Sequence, residues 1–76
     1  MITPRLTKTE LEVLTLKAQG LTSAEAGYVR GTTAKTVKSQ LAQASGKLGA
    51  RNTTHAVAIA MTYGLIQYEE AEDAQL

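Results

Sequence analysis

The side chains whose types and spacing invite chemistry are gathered between residues 35 and 40: Lys35, Thr36, Lys38, Ser39 and Gln40. Two long cations can reach phosphate oxygens or a guanine edge. Short hydroxyls and an amide suit hydrogen bonds to phosphate or to base edges. These residues lie in a stretch of helical period. At about 100° per residue, Val37, Leu41, Ala44 and Leu48 form one narrow apolar stripe, and Lys35, Ser39, Ala42 and Gly46 lie opposite, flanked by Lys38 and Gln43. A helix divided this way packs one side on its domain and turns a polar, basic, thinly furnished side outward. Glycine in a helix interior costs about 1 kcal/mol relative to alanine, so Gly46 asks for a reason. Close approach of another surface is one reason, and simple tolerance is another.

Enzyme chemistry finds little support. His55 is the single histidine and there is no cysteine, so neither a histidine cluster for a metal nor a nucleophile with its base is in view. The glycines stand singly rather than in a phosphate-cradling loop. No metal and no cofactor is expected, and His55 reads as a surface or interface residue.

Four helical segments position the polar set, with no strand pattern between them. Thr7-Lys8-Thr9-Glu10 and Thr22-Ser23-Ala24-Glu25 both have the capping-box form, a Thr N-cap with a Glu three residues on. The first opens a helix carrying Leu11, Val13, Leu14, Leu16 and Ala18 and stopping at Gly20. The second opens a short helix ending near Val29–Arg30. Gly31-Thr32-Thr33 makes a turn, and Thr33 caps the third helix, which runs over Thr33–Leu48 to Gly49. A fourth starts at Asn52-Thr53-Thr54 and ends at Gly64. In this fourth helix Val57, Ala60, Met61 and Gly64 are expected to close the core. His55, Ala58, Ile59, Thr62 and Tyr63, extended by Ile66, are left as a second apolar face for a homodimer. The fold class is therefore all-α, a short helix, a turn and a longer helix with a basic outer face forming a helix-turn-helix.

With 76 residues there is room for one small domain, taken as residues 1–66, followed by a tail over 67–76. The net charge of +1 hides an asymmetry. All eight Lys and Arg fall between Arg5 and Arg51. Before residue 67 only three carboxylates, Glu10, Glu12 and Glu25, oppose them, which leaves the body at +5. The tail holds Glu69, Glu70, Glu72 and Asp73. A basic body suits a polyanion; the acidic tail reads as a solubilising end, or as a competitor with DNA for the basic face. No apolar run approaches the roughly 20 residues that span a bilayer, so no membrane partner is expected, and the absence of cysteine fits a reducing cytoplasm.

The motifs also resemble a family. Leu6-Thr7-Lys8-Thr9-Glu10-Leu11-Glu12-Val13-Leu14 and Ala18-Gln19-Gly20-Leu21-Thr22 look like the first half of a LuxR-type DNA-binding domain. Thr36-Val37-Lys38, Lys47-Leu48-Gly49-Ala50-Arg51, Ala56-Val57-Ala58 and Gly64-Leu65-Ile66 match the second half in order and spacing, so the resemblance covers about residues 4–66. It implies a four-helix domain of a transcription regulator, at work on the nucleoid, with the third helix in the major groove of double-stranded DNA and the fourth making the homodimer. Carried over by position, the implied DNA contacts are Thr22 and Glu25, Lys35, Thr36, Lys38, Ser39 and Gln40, and Lys47 and Arg51 toward phosphate. Glu25 can also serve mainly as the cap that sets its helix against the backbone.

This chain departs from the family pattern at several places. Ala26-Gly27 stand where Ile-Ala is usual, Thr32 where a hydrophobic residue is, Gln40 for His, Ala44 for Ile, and Thr9 and Thr53 at common Arg positions. Several changes shrink the core, so a marginal or dimer-dependent domain is expected, and Gln40 and Thr53 alter the usual operator-reading set. Region 4 of sigma factors is similar over Thr36–Leu41, Ala44 and Lys47-Leu48 but has no need of the closing helix. A rival expectation takes the domain as free-standing. It would pair its fourth helix with a full-length LuxR-type regulator and disable it, without itself binding DNA.

Overall fold

A computed structural model describes residues 5–67; the acidic tail from residue 68 on, and the competition expected of it, lie outside the described residues. Four helices follow in order: α1 (Lys8–Ala18), α2 (Ser23–Arg30), α3 (Ala34–Leu48) and α4 (Thr53–Thr62). Among the described residues there is no strand, so the all-α helix-turn-helix expectation holds.

Local chemistry sets each helix start. Both capping boxes form: the Thr7 hydroxyl accepts from the Glu10 N–H at 3.1 Å, and Glu10 Oε1 accepts from the Thr7 N–H at 2.8 Å. Thr22 and Glu25 repeat the pair at 3.1 and 2.8 Å. Thr33 caps α3 through the Thr36 N–H, and Asn52 caps α4 through the His55 N–H. Each cap satisfies an orphan amide of the first turn, a contribution of about 1 kcal/mol.

The helices close on a small core. Val13, Leu14, Ala26, Val37, Leu41, Ala44, Leu48, Ala56, Ala60 and Ile66 are buried, and α3 packs against all three other helices. The whole apolar stripe read from α3 is in that core. Two expectations about α4 need correcting. Its buried residues are Ala56 and Ala60, with Val57 and Ile59 half-buried, whereas Met61 is 36% exposed. Ile66, expected on the outer face, is 5% exposed and belongs to the core. The cause is the chain reversal after α4. Gly64 adopts φ +72°, and the Leu65 N–H returns to the Ala60 carbonyl at 2.8 Å, closing a Schellman-type turn. That turn carries Ile66 back under the domain, so Ile66 supplies the bulk that Met61 was expected to give.

Gly27 explains one departure from the family pattern. A Cβ built there would lie 2.9 Å from the Thr32 carbonyl oxygen and 2.9 Å from the Thr33 carbonyl carbon. These are backbone atoms of the turn leading into α3, so the turn can sit this close to α2 only over glycine. Gly46 is the opposite case: a Cβ there meets nothing within 4 Å. The two helical glycines should therefore respond with opposite sign. Gly27→Ala should lower stability by about 1–3 kcal/mol, as overpacking does. Gly46→Ala should raise it by about 1 kcal/mol, or roughly 4–8 °C in a domain this small. Thermal unfolding by circular dichroism checks both; equal shifts would contradict this account of Gly27.

Candidate nucleic-acid interface

α2, the turn and α3 present one surface. Thr22 and Glu25 are exposed at the start of α2, and both are occupied in the capping box, so Glu25 has the capping role expected of it. On α3, Lys35, Thr36, Lys38 and Ser39 are exposed, as are Ala42, Gln43 and Gly46 further along. The Thr36 hydroxyl accepts from that of Thr33 at 3.1 Å, which ties it to the cap. Gln40 is half-buried, and its Oε1 is shielded from solvent with no hydrogen-bond partner. The amide stands at the edge of this surface rather than at its centre. Arg51 is exposed beyond the end of α3, and its backbone N–H donates to His55 Nδ1 at 3.1 Å.

Lys47, expected to reach toward phosphate, has a side chain 42% exposed and is engaged within the domain. Its Nζ donates to Glu10 Oε1 at 2.8 Å, the same oxygen that accepts from the Thr7 N–H. Glu10 is 2% exposed, a buried carboxylate with a partner from another helix. A second pair joins Arg30, the last residue of α2, to Glu12. The Lys47 hydrogen bond holds the Glu10 carboxyl below its ordinary value; burial opposes this and is outweighed, with the Thr7 backbone N–H and the Lys47 charge helping to lower it. Sequence reasoning missed both pairs. Glu10 was legible as a cap, but its partner is 37 residues away and nothing in the local pattern names it.

The face expected to make the homodimer is partly assembled. His55, Ala58, Ile59, Thr62 and Tyr63 line one shallow depression of about 270 Å³ on α4. The Thr62 hydroxyl donates to the Ala58 carbonyl at 2.9 Å, so it makes no outward polar demand. Tyr63 is 44% exposed and Ile59 is half-buried, while Ile66 is absent from this face for the reason given above. His55 sits at its edge, its ring nitrogen engaged by Arg51. A larger groove of about 590 Å³ runs between α1 and α2 beside the exposed Val29, which the sequence did not indicate. Among the described residues no group of three His, Cys, Asp or Glu is placed to hold a metal, and no helix is long and apolar enough to cross a membrane.

This arrangement of a capped short helix, a tight turn and a two-faced helix has counterparts. Residues 4–60 match the family described as bacterial regulatory proteins, luxR family. The chain belongs to that family. Its LuxR-type domain is similar to part of the HTH-type quorum sensing-dependent transcriptional regulator RpaR of Rhodopseudomonas palustris, with 48% identity over 63 residues, 83% of this chain and 26% of that protein. It is 44% identical over 62 residues to the transcriptional activator protein BjaR1 of Bradyrhizobium diazoefficiens, 82% of this chain and 26% of that one. The transcriptional regulatory protein YdfI of Bacillus subtilis is 45% identical over 60 residues, 76% of this chain and 28% of YdfI. The chain thus spans about a quarter of the length of these relatives. The LuxR family is one of DNA-binding regulators rather than enzymes.

The Glu10 carboxylate makes a pH prediction with a definite sign. A carboxyl whose folded value is lowered stabilises the fold fully above its unfolded value, near pH 4.3, and that stabilisation is lost as the pH falls through the lower folded value. The melting temperature of the wild type should therefore fall more steeply between about pH 6 and pH 3 than that of Glu10→Gln, which has no charge to lose. Parallel profiles for the two proteins would contradict the assignment.

Proposed function

We propose that this domain is a sequence-specific, DNA-binding transcription regulator. In this reading α3 enters the major groove, and the domain works as a homodimer through α4, on DNA in the cytoplasm. The observation that carries the reading is the division of α3. One side is wholly core, and the other offers Lys35, Thr36, Lys38 and Ser39 in its first turns and only small or polar residues after them. The major groove is about 12 Å wide and admits one α-helix, with N-terminal residues nearest the base edges. Ala42 and Gly46 keep the later turns slim enough to lie close. Thr22 and Glu25 place the start of α2, where helix N-termini favour phosphate. Gln40 and Arg51 complete the set from the edges.

Binding through lysines to phosphate releases counterions, so affinity falls with salt at a slope of about 0.9 per neutralised phosphate. Retardation of duplex DNA across a salt series should show this dependence. Lys38→Ala and Lys35→Ala should each weaken binding and reduce the slope by about one. Absence of any retardation at low salt would overturn the reading, and would leave pairing with a longer LuxR-type regulator as the use of the α4 face.

The homodimer is supported by the small size of the core and by the apolar α4 depression, which a second copy would cover. Light scattering should give twice the chain mass for the wild type and the monomer mass for Ala58→Glu. Ala58 is the better probe because Ile59 also packs against the core. An unchanged mass in Ala58→Glu would remove this interface from the proposal.

A further inference from the structure

We propose that Glu10 and Lys47 are positioning residues for DNA reading: their ion pair fixes the C-terminal end of α3 and thereby aims its N-terminal end. The inference rests on the DNA-binding reading above and extends it to residues that touch no DNA.

α3 is mounted at two points. At its N-terminal end the turn over Thr32 and Thr33 presses on Gly27, where even a methyl group would collide with backbone. At its other end Lys47, in the last turn, donates to the buried Glu10 at 2.8 Å. Glu10 is itself held rigidly. It lies in the first turn of α1, its Oε1 also accepts from the Thr7 N–H, and only 3% of its side chain is exposed. One carboxylate oxygen therefore joins the start of α1 to the end of α3. The charges suit the two helix dipoles, a carboxylate near one N-terminus and an ammonium near the other helix's C-terminus.

Leverage gives this bond its reach. A helix rises about 1.5 Å per residue, so the eleven residues from Lys47 back to Thr36 span about 16 Å. A pivot of about 5° at Lys47 would move Thr36 by about 1.4 Å. Base-edge hydrogen bonds tolerate only about 0.5 Å of misplacement. Phosphate contacts by flexible lysines tolerate more, because a long stem can follow the backbone. Loosening the bond should therefore damage discrimination between sequences before it damages binding to DNA in general.

The test compares wild type, Glu10→Gln, Lys47→Gln and the double variant. Each is titrated across a salt series on an operator duplex, selected from a random pool with the wild type, and on a scrambled duplex. The ratio of operator to scrambled affinity should fall about tenfold in each single variant, and the double should be no worse than either. The salt slopes should stay at the wild-type value, because no phosphate contact is lost. A slope smaller by about 0.9 in Lys47→Gln, with an unchanged ratio in Glu10→Gln, would make Lys47 a phosphate contact and overturn the proposal. Ratios equal to wild type, or losses that add in the double, would also overturn it. Should Glu10→Gln fail to fold, Lys47→Gln decides alone, since it leaves the capping box intact: a reduced ratio at constant slope supports positioning, and a reduced slope overturns it. A wild type that selects no operator removes the DNA-binding reading itself, a result distinct from a discriminating wild type matched by its variants.

Discussion

One helix has to satisfy two surfaces at once, and the domain is arranged around that demand. α3 buries Val37, Leu41, Ala44 and Leu48 against the other three helices. The apolar stripe supplies the force that holds it, at about 25 cal/mol for each Å² removed from water. The same periodicity sends Lys35, Ser39, Ala42 and Gly46 outward. Any rotation of α3 that exposed the stripe would bury lysines, and an unpaired buried charge is far costlier than a lost contact. The orientation of the polar face is therefore a by-product of core packing. α1 and α4 help to orient that face although neither contributes a residue to it.

The core that does this is made of small residues. Ala26, Ala44, Ala56 and Ala60 are all fully buried, and Leu14, Val13 and Val37 are the largest side chains completely hidden. Alanines at helix contacts let backbones approach closely, and Gly27 lets the turn approach closer still. The cost is a low yield of buried apolar area per residue, which in a domain of this size leaves less to offset the entropy of ordering the chain. That is consistent with the sequence-based expectation of a shrunken core, and it shows where the shrinkage went: α2 and its turn settle onto each other instead of leaving a void. The exposed apolar side of α4 then has an energetic meaning, since covering it would add burial that the monomer lacks.

The features legible in the sequence were those with local causes. Both capping boxes, the Thr33 cap, the turn over Gly31–Thr33 and the α3 stripe each depend on residues within one or two turns, and the structure places each as read. What stayed hidden depends on residues far apart in sequence. The rotation of α4 follows from how the chain reverses at Gly64 and brings Ile66 beneath the domain. A helical wheel over α4 alone cannot contain that fact. Gly27 looked like a lost side chain, because its reason lies in the backbone of a neighbouring turn. Lys47 looked like one more cation on a basic helix, because its carboxylate stands on a different helix.

The Lys47 pair changes the electrostatic picture of the surface. Counting charges gives a basic body, but the cations are not equivalent. Among the described residues two ion pairs occur, Arg30 with Glu12 and Lys47 with Glu10, and both carboxylates come from α1. They sit two residues apart on that helix and so face different sides. One holds the end of α2 and the other the end of α3. α1 therefore neutralises the last residue of α2, beside the turn, and a residue in the last turn of α3, and leaves Lys35 and Lys38, in the first turns of α3, outside either pair. The charges of Lys35 and Lys38 add to the positive end of the α3 dipole. Two of the three carboxylates before residue 67 thus brace the scaffold, and Lys35 and Lys38 are left outside both pairs, beside the hydroxyls of Thr36 and Ser39.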